Sequence, residues 1–488
     1  MHKKYKEELI SLRQQTTKAS KWFIGGSFLQ KIISFSTTIV LARILSPGEF
    51  GLFALAFVVI DGFSLFKSMG FDAALVQRQG EIRKAANTAF FIIPSLGAVL
   101  YILLVFMLPL FESFFQTKEL IEVLKFLGLI FIINSFGRVP IALLEKQIKF
   151  KKIALIEIIG QVVFSLVAIT IAVIKASIWA LVFGYLSMTM VKLVMLWIVI
   201  DWRPKLEFDK NLAKDMFHYG KYVFLTCLIV FLQRNFDRII IGKILGIVEL
   251  GMYSIAYNLA NLPNEYLGNK MSRILFAAYS KVQNDLVVLK NAFLKVIRII
   301  SSITIPFGVG IIMLGGDFLI LAFGENWIGA IPILEVLVWS GVFNTFIVCN
   351  RSVFLALKKS KLGFLIISLQ VIIYIFLVWP VANSFGSIGV SWVVTITAFL
   401  IMIISFLVVA RLIKLRMKDL VSALMPSIFS GVIMFVSLII LKYFFARFLL
   451  PNWIEFFCLL IVSIAIYARF LFKTDKIILL EIKEIFAS

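Results

Sequence analysis

The chain has 488 residues, of which 61% are hydrophobic and only 16% are charged, and its mean hydropathy is +1.01. Soluble domains average about half apolar and about a quarter charged residues, so this composition excludes a soluble globular protein and indicates an integral membrane protein. The formal net charge is +22. Because the basic residues are spread over many segments between apolar runs, topology and anionic lipid explain the charge, and we expect no nucleic-acid partner.

Apolar runs long enough to cross a membrane follow one another along the chain. A span needs about 20 mostly apolar residues, and fourteen such runs begin near residues 22, 50, 86, 119, 153, 177, 217, 249, 289, 329, 361, 387, 420 and 451. Basic residues cluster in alternate connections, as the positive-inside rule requires when both termini are cytoplasmic. The sequence therefore predicts an all-α integral membrane protein with about 14 transmembrane helices and with both termini in the cytoplasm.

A repeated motif predicts how these helices are grouped. The segment from Arg43 to Ala56 returns 200 positions later, from Lys243 to Ala256, with the basic residue, Ile-Leu, an acid, a glycine and an aromatic in register. Each copy lies between two long apolar runs, so we expect it to close a helical hairpin. Gly51 and its equivalent are predicted to serve the tight outer turn of that hairpin.

An offset of 200 residues covers six predicted helices, and an even number means that both copies face the same way. Parallel repeats of this kind are typical of secondary transporters, whose halves are related by an axis along the membrane normal. We therefore predict two six-helix lobes, residues 1–205 and 206–415. Residues 416–488 add two C-terminal helices and a cytoplasmic tail.

Charged residues inside predicted spans are costly, so each should face a partner or a watery cavity. Lys31 and Asp61 lie equally far from the turn near Ser46, on neighbouring antiparallel helices, and hence at the same depth. We interpret them as a structural ion pair. The alternative is that they form a cavity pair that breaks during transport, in which Lys31 also contacts substrate.

The seventh predicted helix carries Arg234, Asp237 and Arg238 within little more than one turn, so that they share a face. The eighth presents Asn258, Asn261 and Asn264 at similar depth, with Pro263 breaking its backbone ladder. These residues predict a polar cavity in which Arg234, Arg238, Asn258 and Asn261 bind substrate. Asp237 is the predicted ion-coupling carboxylate, for a proton or a sodium ion, unless it only neutralises the arginines. Scattered groups, among them Arg138, Glu157 and Lys192, are predicted to be structural.

Other chemistry finds no support in the sequence. The three cysteines and two histidines form no metal-binding or disulfide pattern, and no phosphate-binding loop of the GxxxxGK[ST] type is present. We therefore expect no metal, no cofactor and no enzymatic activity.

Five segments carry a resemblance to a known family: LARILSPGEFGLFALA at 41–56, GFDAALVQRQ at 70–79, FKKIALIEIIG at 150–160, FDRIIIGKILGIVELGMYSIAYNLANLP at 236–263 and SRILFAAYSKVQND at 272–285. In these the chain resembles the polysaccharide transporter family of lipid-linked oligosaccharide flippases, in its colanic and teichuronic acid exporter branch. That family belongs to the multidrug/oligosaccharidyl-lipid/polysaccharide exporter superfamily.

The resemblance implies two six-helix lobes that work by alternating access. It implies transport of sugar repeat units linked to undecaprenyl pyrophosphate, from the cytoplasmic to the outer (periplasmic) leaflet of a bacterial inner or plasma membrane. These units serve surface polysaccharides such as lipopolysaccharide or exopolysaccharide. A polysaccharide polymerase and glycosyltransferases of the same pathway are the implied partners. The alternatives are an ion-coupled multidrug-type exporter of the same superfamily, which calls for a net acidic cavity if its drug is cationic, and a membrane-embedded sugar polymerase or transferase. The latter predicts paired carboxylates or a large outer loop, which the sequence lacks.

Overall fold

The computed structural model describes residues 25–66, 75, 80–147, 149–205, 207–445 and 451–475, and over these ranges the chain is built from α-helices without β-strands. In the first part of the chain, helix α1 covers residues 25–44. It is followed by α2 (Pro47–Ser64), α3 (Ile82–Phe115), α4 (Glu119–Lys146), α5 (Phe150–Ile174) and α6 (Trp179–Val199).

The second part begins with α7 (Lys210–Ile244) and α8 (Gly246–Ala260). Pro263 cannot donate a backbone hydrogen bond, and near it α8 gives way to a π-helical turn, Asn264–Asn269, before α9 (Lys270–Lys281). Next come α10 (Leu286–Phe323) and α11 (Ala330–Ala356). Gly386, with φ 63°, divides the segment Ser360–Leu412 into α12 (360–385) and α13 (387–412). The described part ends with α14 (Met417–Phe445) and α15 (Asn452–Thr474).

Each of the fourteen predicted spans coincides with a described helix. Ten helical segments in the described ranges are long and apolar enough to cross a membrane, and one of them is the segment that Gly386 divides. Helices α1, α7 and α8 are not among the ten; α7 carries the charged run noted above. The all-α membrane fold is confirmed, whereas the count of fourteen stays a prediction.

The chain divides into two compact units. The first comprises residues 1–235 and 246–251, and the second comprises residues 236–245 and 252–488. Within the first unit α3 packs on α4, α5 on α6, and α4 on both α2 and α6. Within the second, α11 packs on the 360–412 segment and α10 on α14 and α15. The predicted division at residues 205 and 415 stays a prediction.

The two copies of the repeat do close helical hairpins, but they begin their second helix differently. In the first copy Ser46 caps α2: its hydroxyl accepts from the Glu49 amide, and the Glu49 carboxylate accepts from the Ser46 amide at 2.7 Å. In the second copy the equivalent position is Gly246, whose φ of 84° lies in the left-handed region that glycine tolerates best. The same turn is thus stabilised in the first copy by a side-chain cap and made possible in the second copy by the backbone conformation of a glycine.

Gly51 and Gly251 serve a different purpose from the one expected. Both lie inside helices, one turn beyond the start of α2 and α8, and not in the turn itself. A Cβ on Gly51 would overlap the carbonyl group of Ile247, and a Cβ on Gly251 would overlap that of Pro47. The two glycines therefore allow the starts of α2 and α8 to touch backbone to backbone, through positions that correspond in the repeat. This contact explains why residues 246–251 belong to the first unit.

Candidate functional site

Asp237 and Tyr253 form a buried polar pair between α7 and α8. The Tyr253 hydroxyl donates to the Asp237 carboxylate at 2.5 Å, and the two residues are 0% and 2% exposed respectively. Each lies eight residues from Leu245, so the hairpin brings them to the same depth. The second oxygen of the carboxylate accepts from the Arg238 amide at 2.8 Å. Both carboxylate oxygens of Asp237 therefore accept hydrogen bonds from uncharged donors.

The Arg238 guanidinium turns away from Asp237 toward α8. It donates to the Asn258 side chain at 3.3 Å and lies over the ring of Tyr257, 4.7 Å from the centroid. Its buried Nε has no hydrogen-bond partner within the described part of the chain. Over the same residues Asp237 makes no ion pair within 4 Å, although it does attract Arg238 electrostatically. The structure thus brings the predicted residues Arg238 and Asn258 together, and directs Asp237 to a tyrosine that the sequence analysis had not singled out.

Aromatic and amide groups extend this polar cluster. Tyr253 and Tyr257 stack with centroids 6.0 Å apart. From α12, Tyr374 interacts electrostatically with Asp237 and Tyr257, and Gln370 donates to its hydroxyl at 3.1 Å. The cluster in the second unit therefore combines one carboxylate, one guanidinium and three phenols.

The other predicted residues of this region have different surroundings. Arg234 is exposed and makes no hydrogen bond or ion pair with any residue that the structure describes. Asn261 is buried and donates to the Tyr257 carbonyl at 3.2 Å, which closes the end of α8. Of the four predicted substrate ligands on α7 and α8, Arg234, Arg238 and Asn258 retain accessible surface, whereas Asn261 is committed to its own helix.

Lys31 and Asp61 lie in the first unit, Lys31 half-buried and Asp61 exposed. Both have interaction partners. Asp61 also interacts electrostatically with Tyr185 of α6. The predicted ion pair between Lys31 and Asp61 stays a prediction.

A cavity of about 220 Å³ opens in the first unit, between α4, α5 and α6. Three charged residues that sequence analysis treated as scattered and structural share its wall: Arg138, Glu157 and Lys192. Lys192 donates to Glu157 at 2.6 Å, and Gln30 of α1 donates to the same carboxylate oxygen at 3.3 Å. The sequence contained one indication of this grouping, because each charge lies seven or eight residues from a helix end and hence at a similar depth. The sequence does not reveal which helices are neighbours.

Among the described residues, no group of three or more His, Cys, Asp and Glu side chains could hold a metal ion. Neither polar region therefore offers a carboxylate cage, and both are suited to binding by hydrogen bonds and cationic side chains.

Comparison with known proteins assigns the family. Residues 40–332, more than half of the chain, match the family described as "Polysaccharide biosynthesis protein". The chain belongs to this family. Teichuronic acid biosynthesis protein TuaB of Bacillus subtilis is 28% identical over 353 residues, which are 72% of this chain and 73% of the relative. Lipopolysaccharide biosynthesis protein WzxC of Escherichia coli is 27% identical over 342 residues, 69% of either chain.

Among solved structures, the lipid II flippase MurJ in an inward closed conformation matches with a TM-score of 0.76 at 16% identity, over 92% of this chain and 97% of MurJ. At this identity the match establishes the fold alone, that of a multi-helix membrane protein. The predicted family and fold are confirmed. The chain is a multi-pass membrane transporter of polysaccharide biosynthesis, and its family consists of transporters and not of enzymes.

Proposed function

We propose that this protein moves oligosaccharide repeat units linked to undecaprenyl pyrophosphate from the cytoplasmic to the outer leaflet by alternating access. The family supports a role in surface polysaccharide synthesis, and the relatives act in teichuronic acid and lipopolysaccharide biosynthesis by name. Glycosyltransferases on the cytoplasmic side would supply the lipid-linked unit, and a polymerase on the outer side would consume it.

The observation that carries this proposal is the pair of accessible arginines on one face of α7. Arg234 has no partner among the described residues, and Arg238 is held by Asn258 and Tyr257, not by a carboxylate. Both keep their positive charge available for an anion. A pyrophosphate ester carries about two negative charges, and a guanidinium offers forked donors that match phosphate oxygens.

Energetics set the requirement on these arginines. The membrane potential favours outward movement of an anion by about 2.3 kcal/mol per charge per 100 mV, so the cations need to offset lost hydration and need not drive the reaction. A positive charge is therefore necessary at these positions, whereas the exact geometry of the side chain is less critical.

The alternative is a multidrug-type exporter of the same superfamily. A cationic drug would require an acidic cavity, whereas the only carboxylate of the described cluster on α7, α8 and α12 is engaged by Tyr253. Arg234, which has no partner among the described residues, adds a positive charge on α7. Binding of a lipid pyrophosphate in preference to a lipophilic cation would separate the two functions.

Asp237 is the proposed ion-coupling residue, since a buried carboxylate without a salt bridge can take up a cation at modest cost. Asp237→Asn should transport with a weakened response to a proton or a sodium gradient. A normal response to both gradients would remove the coupling role.

For localisation we propose the plasma (inner) membrane, with both termini and the segments around Lys149, Lys210, Lys281, Lys359 and Arg416 in the cytoplasm. The alternation of basic residues supports this topology. Single cysteines at residues 210 and 359 should react with an impermeant maleimide only after the membrane is opened. Reaction at either position from outside an intact cell would contradict the fourteen-helix topology.

The decisive experiment is leaflet accessibility of a lipid-linked oligosaccharide in proteoliposomes. Arg234→Ala and Arg238→Ala should slow transport strongly, and the matching lysine variants should retain more of it. Arg416→Ala is the matched control, because Arg416 is 79% exposed and, among the residues that the structure describes, pairs only with Asp419. Normal transport by both alanine variants would place the cationic site elsewhere, with Lys31, Lys192, Arg298 and Arg351 tested next.

A further inference from the structure

The cavity between α4, α5 and α6 has a defined depth in the first unit. Its polar lining residues lie 7 to 14 residues from the helix ends at Lys146, Phe150 and Val199. At 1.5 Å rise per residue this is about 10 to 21 Å from those ends, inside the apolar part of the helices. In the proposed topology these ends face the cytoplasm, where the lipid-linked unit is loaded.

The cavity is lined by both polar and apolar side chains. Hydrogen-bonding groups come from all three helices: Asn134 and Arg138 from α4, Glu157 from α5, and Tyr185, Thr189 and Lys192 from α6. The same helices also contribute isoleucines, leucines and Met188 to the lining. Asn134 makes no hydrogen bond to any of the described residues, so its amide is available to a ligand.

The charged pair of this lining is held in place and still accessible. The stem of Lys192 packs against Gly160, one turn beyond Glu157, where any Cβ would collide with it. This packing sets the ammonium 2.6 Å from the carboxylate. Yet the side chains keep 20% and 35% of their surface exposed, for Lys192 and Glu157 respectively. A pair that served packing alone would not need this opening.

The volume limits what can enter. At about 220 Å³ the cavity is smaller than the roughly 300–1,000 Å³ pockets that take drug-sized ligands. One sugar ring matches this space, whereas a repeat unit of several sugars does not.

We propose that this cavity binds a single pyranose ring of the lipid-linked repeat unit. The inference rests on the proposed function and adds a second contact region to it, separate from the arginines of α7. The chemistry favours a sugar over a bare phosphate, because Glu157 can accept hydrogen bonds from hydroxyl groups, which a fully ionised phosphate does not offer. Lys192, Arg138 and Asn134 can donate to ring and hydroxyl oxygens, and the aliphatic side chains of the lining can pack on the C–H face of the ring.

The first test examines the cavity directly. In the full chain with Cys227, Cys349 and Cys458 replaced by serine, Asn134→Cys is reconstituted and its maleimide reaction rate is measured. Methyl pyranosides of glucose, galactose and N-acetylglucosamine should slow that rate at least about fivefold, because a site of this kind covers most of its ligand. Ser187→Cys on α6, which does not line the cavity, is the matched control and should be unaffected. Sorbitol, an acyclic polyol, should protect neither position.

The second test examines whether the same cavity binds the sugar of the lipid-linked substrate during transport. Proteoliposomes are given undecaprenyl pyrophosphate with one attached hexose or N-acetylhexosamine, or without any sugar. For Glu157→Gln and Lys192→Met the ratio of sugar-bearing to sugar-free transport should fall about tenfold, since each variant removes a charge of the Lys192–Glu157 pair and with it the charge-assisted hydrogen bonds to the sugar. Arg234→Ala and Arg238→Ala should leave that ratio unchanged. Glu122→Gln, an exposed carboxylate of α4, is the control.

The outcomes separate the two proposals. Unchanged ratios in both cavity variants, protection at residue 134 by inorganic pyrophosphate in place of pyranosides, or no protection by any pyranoside would each overturn the sugar site. Wild-type protein that transports neither lipid would overturn the proposed function, and the labelling of residue 134 would still decide whether the cavity binds a sugar.

Discussion

The hairpins α1–α2 and α7–α8 come from the same repeat, and they differ in what fills equivalent positions. Both keep the glycine through which the starts of α2 and α8 touch. At the position of Asp237, the first hairpin has Thr37, which hydrogen-bonds to Ser165 of α5 at 2.6 Å. Where the second hairpin has Tyr253, the first has Phe53, which packs on the ring of Phe57.

The comparison shows which positions of the repeat tolerate change. A backbone contact leaves no room for a side chain, so both copies keep glycine there. Deeper in each hairpin, side-chain contacts can be replaced, and one copy uses neutral hydroxyls while the other uses a carboxylate. The repeat therefore supplies a common frame, and at the position of Asp237 only the second copy carries a titratable side chain.

The largest expected effect comes from the shared contact. Gly51→Ala places a methyl group on the Ile247 carbonyl, so the two helix starts must separate. We expect a loss of about 3 kcal/mol of stability, at the upper end of what overpacking costs, and a matching fall in the thermal midpoint of the purified protein. Gly251→Ala should do the same through Pro47.

Gly48→Ala is the matched control for this prediction. A methyl group at residue 48 would meet its nearest neighbour, a Val248 methyl carbon, at 3.5 Å, an ordinary contact. Equal melting of the Gly48 and Gly51 variants would show that the close approach contributes nothing to stability.

The next largest effect concerns the buried pair of Asp237 and Tyr253, whose equivalents in the first hairpin are Thr37 and Phe53. Tyr253→Phe removes the donor to a fully buried carboxylate, which should cost about 1 to 3 kcal/mol. Asp237→Asn keeps the shape and should cost less. In a double-mutant cycle on thermal or denaturant unfolding, the pair should show coupling of about 1 kcal/mol or more. The cycle Thr37→Val with Ser165→Ala in the first hairpin should give weaker coupling, and the reverse order would contradict our interpretation of Asp237.

Much of the fold could be predicted from the sequence, because long apolar runs and their flanking charges report directly on helices in a membrane. The repeat at Arg43 and Lys243 correctly located two hairpins. The role of Gly51 could not be predicted, because a glycine near a turn favours the turn in any local analysis. Only the contact of α2 with residues 246–251, which belong to the same unit, shows that the close approach to Ile247 requires it.

The candidate site could be predicted only in part, because the sequence gives the depth of a residue along its helix but not the neighbours of that helix. Equal distance from a turn suggested Lys31 with Asp61, and the same arithmetic about Leu245 would have suggested Asp237 with Tyr253, had phenols been considered beside charges. The cavity with Glu157 and Lys192 depends on how α5 and α6 pack. No spacing along the chain carries that information.

A further prediction concerns charges that only the first hairpin carries. Lys31 and Asp61 correspond to the uncharged Phe231 and Asn261 in the second copy. If the two charges pair, Lys31→Asp or Asp61→Lys alone should lower abundance and transport. The exchanged double variant should recover about 1–2 kcal/mol, between the values for exposed and buried pairs. Quantifying folded protein by fluorescence-detected chromatography would check this, and equal loss in all three variants would argue against contact.

The smallest expected effects lie in the two turns. Ser46→Ala removes the acceptor for the Glu49 amide and should cost about 1 kcal/mol, whereas Ser46→Gly should cost only a few tenths, because glycine is tolerated at a helix start. Gly246→Ala should cost about 1 to 2 kcal/mol, because it forces a β-carbon into left-handed backbone geometry. Gly310→Ala, whose nearest neighbour would lie at 3.8 Å, serves as the control for the loss of a glycine. A thermal midpoint for Ser46→Gly well below that of Ser46→Ala would contradict this prediction. It would show that glycine cannot replace the serine cap in the first turn, although the second turn is built with glycine.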